Sequence, residues 1–125
     1  MIKILSKDQM KIAEPTGRIL LGLLMLVPGI LKLIDGGQGI TGLLTTLGFP
    51  IPAVLAWIVL LSEIIFGLAI LANYKLEYTV LPPMVILLVA VISTNLSGVS
   101  SWSNVIFHLV AISSYWMYGA YAAGK

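Results

Sequence analysis

Four long apolar stretches follow one another along the chain, and short segments rich in glycine, proline and polar residues separate them. The stretches cover residues 16–34, 51–73, 78–96 and 103–122. A helix crosses the hydrocarbon of a bilayer with about 20 residues, because each residue adds roughly 1.5 Å along its axis. The pattern therefore predicts an all-α membrane protein, an antiparallel four-transmembrane-helix bundle that occupies residues 1–125 as a single domain.

The segments outside these stretches carry weaker signals. Residues 1–15 mix apolar side chains with lysines, which fits either a short helix in the headgroup layer or an irregular basic topology signal. Pro15 is expected in the first turn of the first span. Residues 35–52 are expected to form an outward-facing, partly buried loop that ends in "GFPIP", because glycine and proline disfavour regular structure. "NYKLEY" predicts a tight inward hairpin, and Pro83 predicts a kink or a restart of the third span.

Composition supports the membrane assignment. Of the 125 residues, 59% are hydrophobic and 10% are charged, and the mean hydropathy is +1.06. Soluble domains carry about 25% charged residues, so this chain lacks the polar surface that water requires. The formal charge of +2 is too small to favour nucleic acid as a partner. The absence of cysteine excludes disulfides and thiolate iron–sulfur ligation within the chain.

The distribution of basic residues predicts the orientation in the membrane. With four spans, one side of the bilayer receives Lys3, Lys7, Lys11, Arg18, Lys75 and Lys125. Only Lys32 lies near the other side. Cytoplasmic loops carry an excess of Lys and Arg, so both termini are expected in the cytoplasm. The protein is expected to be a multi-pass protein of a prokaryotic plasma membrane, the cell membrane. A cleaved signal peptide is disfavoured, because no small-x-small site follows the first stretch.

Glu63 is the most informative single residue, because it lies almost midway along the second apolar stretch. A charge at that depth costs about 2.5–3.5 kcal/mol on insertion scales. The side chain is too short to reach water, so we expect it to be protonated, paired or facing a wet cavity. Gly67 follows one turn later and would let a neighbouring helix approach closely.

The first span carries a stripe that would suit Glu63. Steps of four, three, four and three residues place one face of the helix on Arg18, Gly22, Met25, Gly29 and Lys32. If this stripe faces the second span, Lys32 reaches Glu63 on its flexible stem. Two alternatives stay open at this point: Arg18 and Lys32 act only as interfacial anchors, or the buried pair only fixes helix register.

The fourth span adds polar residues toward its outer end, with Asn104 and His108 on one stripe. His108 is the only histidine and suits a proton shuttle, a ligand or a hydrogen-bonded residue inside the bundle. One histidine without cysteine predicts no metal site within the chain. Ser93, Thr94 and Asn95 are expected to form interhelical hydrogen bonds. These polar groups predict a shared cavity in the outer half of the bundle, lined by Lys32, Glu63, Asn95, Asn104 and His108.

Three segments of this sequence resemble the DoxX family of small four-helix membrane proteins: "GRILLGLLMLVPGILKLID", "LGFPIP" and "AWIVLLSEIIFGLAILA". The family pattern has an arginine that opens helix one, a Gly-x-x-Lys near its end, a Gly-x-Pro turn, and a glutamate followed four residues later by glycine. It falls here on Arg18, Gly29, Lys32, Gly48, Pro50, Glu63 and Gly67. The likeness covers roughly residues 17–72. The second half departs from the pattern. Family members often carry a histidine near the outer end of helix three, whereas this chain has "VISTNLSGVSSW" there and its only histidine, His108, in the fourth span.

The resemblance implies a function linked to redox chemistry. Some relatives are membrane subunits of thiosulfate:quinone oxidoreductases, so the cavity is expected to hold a quinone or a small anion. In that reading Glu63 and Lys32 are the catalytic residues, Arg18, Asn104 and His108 bind the ligand, and other membrane subunits or further copies of the chain are the partners within the lipid bilayer. The alternatives are a non-catalytic accessory or assembly subunit and, third, a small oligomeric transporter.

Overall fold

The computed structural model describes residues 5–96 and 101–124 and shows a helical protein. A short 3-10 turn, Lys7–Gln9, precedes α1 (Met10–Ile34). The further helices are α2 (Gln38–Thr46), α3 (Pro52–Leu71), α4 (Leu76–Thr79), α5 (Leu81–Leu96) and α6 (Trp102–Ala123). No strand occurs within the described ranges. The predicted all-α class is therefore confirmed.

Three helical segments in the described part of the chain are long and apolar enough to cross a membrane. They are Lys7–Ile34, Pro52–Leu71 and Leu76–Thr94. The fourth predicted span also forms a helix, α6, of 22 residues, but it is not among these three. Polar residues explain the difference, because α6 carries Asn104, His108 and Ser114 among its apolar side chains.

α1 begins earlier than the sequence pattern suggests. Ser6 and Gln9 form a capping box, in which the Ser6 backbone N–H donates to Gln9 Oε1 at 2.9 Å. The helix then starts at Met10, so Pro15 lies inside it and the expected place in the first turn is wrong. The proline removes one backbone hydrogen bond, while the next residue, Thr16, donates its hydroxyl to Ile12 O at 2.6 Å.

α1 and α3 make the most extensive helix–helix contact in the described structure, and they run antiparallel. Contacts pair the start of α1 with the end of α3, and the end of α1 with the middle of α3. Glycines bring the two backbones together at the crossing. A Cβ added to Gly67 would lie 2.8 Å from the backbone nitrogen of Leu26 and 3.0 Å from the carbonyl oxygen of Gly22. The predicted inward stripe of α1 is confirmed, since Gly22, Met25 and Gly29 are buried.

The connection between α1 and α3 contains a helix where a loop is expected, so that expectation is wrong. The Asp35 carboxylate accepts hydrogen bonds from the backbone N–H groups of Gly37 and Gly39 at 2.8 and 3.3 Å and stabilises the start of α2. Gly37, the residue before α2, adopts the left-handed conformation with φ of 77°, which glycine accommodates without a steric penalty. Gly48, with φ of 83°, follows the end of α2. Glycines therefore lie at both ends of α2 and do not prevent the helix from forming.

The second half of the chain packs on the first through a shared core. Met25 of α1, Ile70 of α3, Leu76 of α4, and Val80 and Tyr115 form one buried cluster. The Tyr115 hydroxyl donates to the backbone carbonyl of Leu21, which ties α6 to α1. Gly119 permits the approach of α6 to α4, because a Cβ there would lie 2.5 Å from Val80 Cγ2.

The turn after α3 uses two left-handed residues, Asn73 with φ of 57° and Lys75 with φ of 43°. It leads through the short α4 into α5, where Pro82 and Pro83 occupy the first turn. A proline is tolerated there, because the N–H that it lacks has no partner within the helix. Pro83 thus marks a restart of the helix, which is one of the two outcomes that the sequence predicts.

The α1–α3 crossing generates a stability prediction. Gly67→Ala should lower the unfolding free energy by about 1–3 kcal/mol, because the added methyl meets backbone atoms of α1 that have nowhere to move. Gly42→Ala on α2 is the matched control, since a Cβ there meets nothing within 4 Å. Thermal unfolding of the two variants in the same detergent measures the difference. Equal stability of both would contradict the close glycine crossing.

Candidate functional site

The centre of the site is an ion pair between α1 and α3. Lys32 Nζ lies 2.6 Å from Glu63 Oε1, so the ammonium donates a hydrogen bond to the carboxylate. The Glu63 side chain is 5% exposed, while the Lys32 side chain is 27% exposed. The predicted contact between the first span and Glu63 is present, and the acid is paired rather than facing lipid alone.

The glycine stripe explains how the pair forms. A Cβ on Gly29 would lie 3.0 Å from Glu63 Cβ and 2.9 Å from Ile64 Cγ1, so only glycine fits this position without a shift of α3. Glu63 therefore lies directly against the α1 backbone. Lys32 follows Gly29 by three residues on the same face, which places its flexible stem beside the carboxylate.

The second carboxylate oxygen is the unusual atom of the site. Glu63 Oε2 is buried and has no hydrogen-bond partner in the described part of the chain. Leaving a buried acceptor unsatisfied costs about 1–3 kcal/mol, so most buried polar groups in proteins do have partners. A ligand or ordered water beside Glu63 would remove that cost.

A cavity of about 440 Å³ lies beside the ion pair. Residues of α1, α2, α3, α5 and α6 line it, and most of them are aliphatic. Its polar members are Lys32, Glu63, Ser93, Thr94 and His108. Ligand sites in proteins measure about 300–1,000 Å³ and combine apolar walls with a few convergent polar groups. By size and lining this cavity is a candidate ligand site.

α2 forms one wall of the cavity, which sequence reasoning missed. Its lining side chains are Ile40, Leu43 and Leu44, followed by Leu47 just after the helix. These positions follow the i, i+3, i+4, i+7 spacing of an amphipathic helix. This spacing was the signal in the sequence for a helix, but the glycines in and around the segment favoured a loop instead.

His108 reaches the cavity from α6. Its ring Nδ1 lies 2.7 Å from the backbone oxygen of Asn104. A carbonyl oxygen only accepts hydrogen bonds, so Nδ1 carries a proton in this contact and Nε2 is the acceptor in the neutral ring. The predicted neighbourhood of His108 with Lys32 and Glu63 is therefore present.

Arg18 lies elsewhere, at the other end of the α1 stripe. It precedes Lys32 by 14 residues, which corresponds to about 21 Å along the helix. Its Nη1 donates to the backbone oxygens of Ile70 and Leu71 at 3.1 and 2.7 Å. A cation at a helix C-terminus satisfies open carbonyls and opposes the negative end of the dipole. Arg18 therefore stabilises the end of α3 and does not line the cavity, contrary to the predicted ligand-binding cluster.

The remaining polar predictions are met only in part. Asn104 is exposed and is not a lining residue, although its backbone carbonyl orients His108. Thr94 donates its hydroxyl to Ala90 O of its own helix at 2.6 Å, so it makes no interhelical bond through that group. The side chain of Asn95 lies outside the described residues.

Two tyrosines of α6 fix that helix against α1 and were not predicted to do so. The Tyr118 hydroxyl donates to Glu14 O at 3.0 Å, and Tyr115 bonds to Leu21 O. Their partners are backbone carbonyls, which every residue has, so the sequence does not indicate which carbonyl will accept the hydrogen bond. The tyrosines lie on the stripe that contains His108, so they position that residue over the cavity.

The fold and this site define a helical integral membrane protein with a polar pair beside an apolar cavity. Residues 15–96 match the model of the DoxX family, and the chain belongs to that family. The matched region runs from the first part of α1 to the end of α5 and includes Arg18, Lys32 and Glu63, so it extends beyond the 17–72 likeness seen in the sequence. His108 lies outside it. No curated protein and no solved structure matches the chain.

The ion pair generates a prediction for a double-mutant cycle. Lys32→Met should lower the unfolding free energy by about 3 kcal/mol, because it leaves the buried Glu63 without a cation. The combined Lys32→Met and Glu63→Leu variant should recover much of that loss, since neither charge then stays buried. Unfolding in mixed detergent micelles measures the four variants.

Lys75→Met serves as a control, because Lys75 is exposed and exposed substitutions usually change stability by less than about 0.5 kcal/mol. Additive effects of the Lys32 and Glu63 substitutions would contradict an energetically coupled pair.

Proposed function

We propose that this DoxX-family chain is an integral membrane subunit of a redox complex and binds a quinone headgroup in the cavity beside Lys32 and Glu63. The observation that carries the proposal is a buried carboxylate oxygen that has no partner among the described residues, next to a largely apolar cavity that His108 also lines. A quinone, when bound, supplies two-electron chemistry coupled to protons. Glu63 and His108 are the lining residues that can take up or release a proton.

The geometry favours a quinone over the small anion that is the other expected ligand. An anion in an apolar cavity requires uncompensated positive charge. The ammonium of Lys32 already pairs with Glu63, and Arg18 is occupied about 21 Å away along α1. A neutral aromatic headgroup with polar atoms at its edge suits aliphatic walls and a few polar groups better.

The orientation belongs to the same proposal. α1, α3, α5 and α6 would all span the bilayer, with both termini in the cytoplasm of a prokaryotic cell. This arrangement places the α1–α2 connection and the cavity toward the outer surface, and the turn around Lys75 toward the inside. The less apolar α6 is the span that most needs its neighbours, because Tyr115 and Tyr118 satisfy their hydroxyls on α1.

A cysteine-labelling experiment tests the orientation, and the chain has no cysteine to interfere. Gln38→Cys on α2 and Tyr74→Cys after α3 are both exposed positions. In intact cells a membrane-impermeant maleimide should label Gln38→Cys, whereas Tyr74→Cys should react only after permeabilisation. The reverse labelling would contradict the proposed orientation.

A cavity-filling variant tests ligand binding. The purified wild-type chain in lipid nanodiscs is titrated calorimetrically with decyl-benzoquinone and decyl-hydroquinone, and saturable binding of at least one is expected. Ala90→Phe should abolish it, because Ala90 lines the cavity and the ring would occupy the headgroup position. Ala53→Phe is the matched control, since Ala53 is exposed on α3 and does not line the cavity.

One observation supports the accessory-subunit alternative. Arg18 and the glycine crossing fix helix register without reference to any ligand. Under that alternative neither ligand binds saturably, while partner subunits still co-purify with the chain and with Ala90→Phe. Such a result would overturn the quinone proposal and leave the membrane fold intact.

A further inference from the structure

The two polar groups that border the cavity from α3 and α6 have the same hydrogen-bonding character. His108 donates through Nδ1 to Asn104 O at 2.7 Å, which leaves Nε2 as an acceptor in the neutral ring. No side chain or backbone group in the described ranges bonds to Nε2. His108 therefore offers a hydrogen-bond acceptor to whatever occupies the cavity.

Glu63 offers an acceptor as well. Oε1 accepts from Lys32 at 2.6 Å, and Oε2 accepts from no group in the described part of the chain. A carboxylate in an ion pair is an acceptor only. Its terminal torsion is broad, so a hydroxyl in the cavity can reach the open oxygen after a small rotation.

Lys32 is the charged donor at the cavity, and it does not need a ligand to satisfy its hydrogen bonds. Lys32 uses one N–H for Glu63 and keeps two, but its side chain is 27% exposed, so water can satisfy those. The desolvation cost therefore falls on an acceptor, Glu63 Oε2, and not on a donor. The site rewards a ligand that donates hydrogen bonds more than one that only accepts them.

We infer that the cavity binds the reduced, dihydroxy form of its ligand, a hydroquinone, more tightly than the oxidised form. This inference rests on the proposed quinone site and adds its preference. A hydroquinone presents two O–H donors on a flat apolar ring, whereas a quinone presents two carbonyl acceptors. The acceptors that would receive the two hydroxyls are Glu63 Oε2 and His108 Nε2.

The test compares three ligands of nearly equal size on the wild-type chain in nanodiscs under anaerobic conditions. Decyl-hydroquinone should bind at least about tenfold more tightly than decyl-benzoquinone and than the dimethyl ether of decyl-hydroquinone, because one unsatisfied buried acceptor accounts for a factor of this order. The ether carries the same ring and tail without donors, so it separates hydrogen bonding from apolar burial. Calorimetric dissociation constants are the readout, and no turnover is required.

Two variants assign the preference to its residues. His108→Phe keeps a ring and removes the acceptor, so it should weaken hydroquinone binding about tenfold and leave the ether unchanged. Phe107→Leu is its control, because Phe107 is exposed and does not line the cavity. In Glu63→Gln the amide oxygen would face Lys32 and the amide N–H₂ would become a donor, so the preference should shift toward decyl-benzoquinone. Glu77→Gln makes the same chemical change on α4, away from the cavity.

The outcomes separate this inference from the proposed function. Equal or tighter binding of decyl-benzoquinone to the wild-type chain would overturn the hydroquinone preference and leave the quinone site in place. No saturable binding of any of the three ligands would overturn both. A preference that persists unchanged in His108→Phe and in Glu63→Gln would also overturn the inference, because neither proposed acceptor would then be responsible.

Discussion

A charged carboxylate is costly inside an apolar helix bundle unless a cation, another polar partner or water satisfies it, and this constraint organises the first half of the molecule. Glu63 meets it through Lys32, and the meeting is possible only because Gly29 lets the α3 backbone lie against α1. A second close contact lies two turns earlier in α1, where the backbone of Gly22 nearly touches that of Gly67, one turn after Glu63 in α3. Ion pair and glycine crossing support each other: the glycines shorten the distance that Lys32 must cover, and the pair penalises any slip of one helix along the other.

The two cations of α1 perform different tasks although they lie on one stripe. Arg18 holds the last carbonyl groups of α3, so its charge is used within the fold. Lys32 is partly exposed, pairs with a single oxygen and borders the cavity, so its remaining hydrogen-bonding capacity is available to a ligand. The consequence for function is that positive charge is not concentrated in one place. The cavity is close to neutral and largely hydrocarbon, which suits a flat apolar ligand with a few polar atoms.

The cavity joins family-matched and unmatched parts of the chain. The region that matches the DoxX family contributes Lys32, Glu63 and the α2 and α5 walls, whereas α6 brings His108 from outside the match. The tyrosines that fasten α6 to α1 also lie outside it. The charged pair therefore comes from the matched region, while the His108 acceptor comes from α6, which lies outside the match. The chemistry of the site is consequently not implied by family membership alone.

The sequence by itself predicted the four long apolar helices α1, α3, α5 and α6, and it predicted that the Arg18–Lys32 face of α1 turns toward Glu63. These conclusions follow from residue type and spacing, because a buried charge has few solutions and helical periodicity places residues on one face. Tertiary structure alone decided three other features: that Arg18 binds carbonyl oxygens of α3, that Tyr115 and Tyr118 bind carbonyl oxygens of α1, and that α2 closes the cavity as a helix. Backbone carbonyls are present at every residue, so the sequence does not show which carbonyl will accept a hydrogen bond from a given side chain. The nine residues of α2 are likewise too few for their own pattern to outweigh the glycines around them, and it is packing against α3 that stabilises them as a helix.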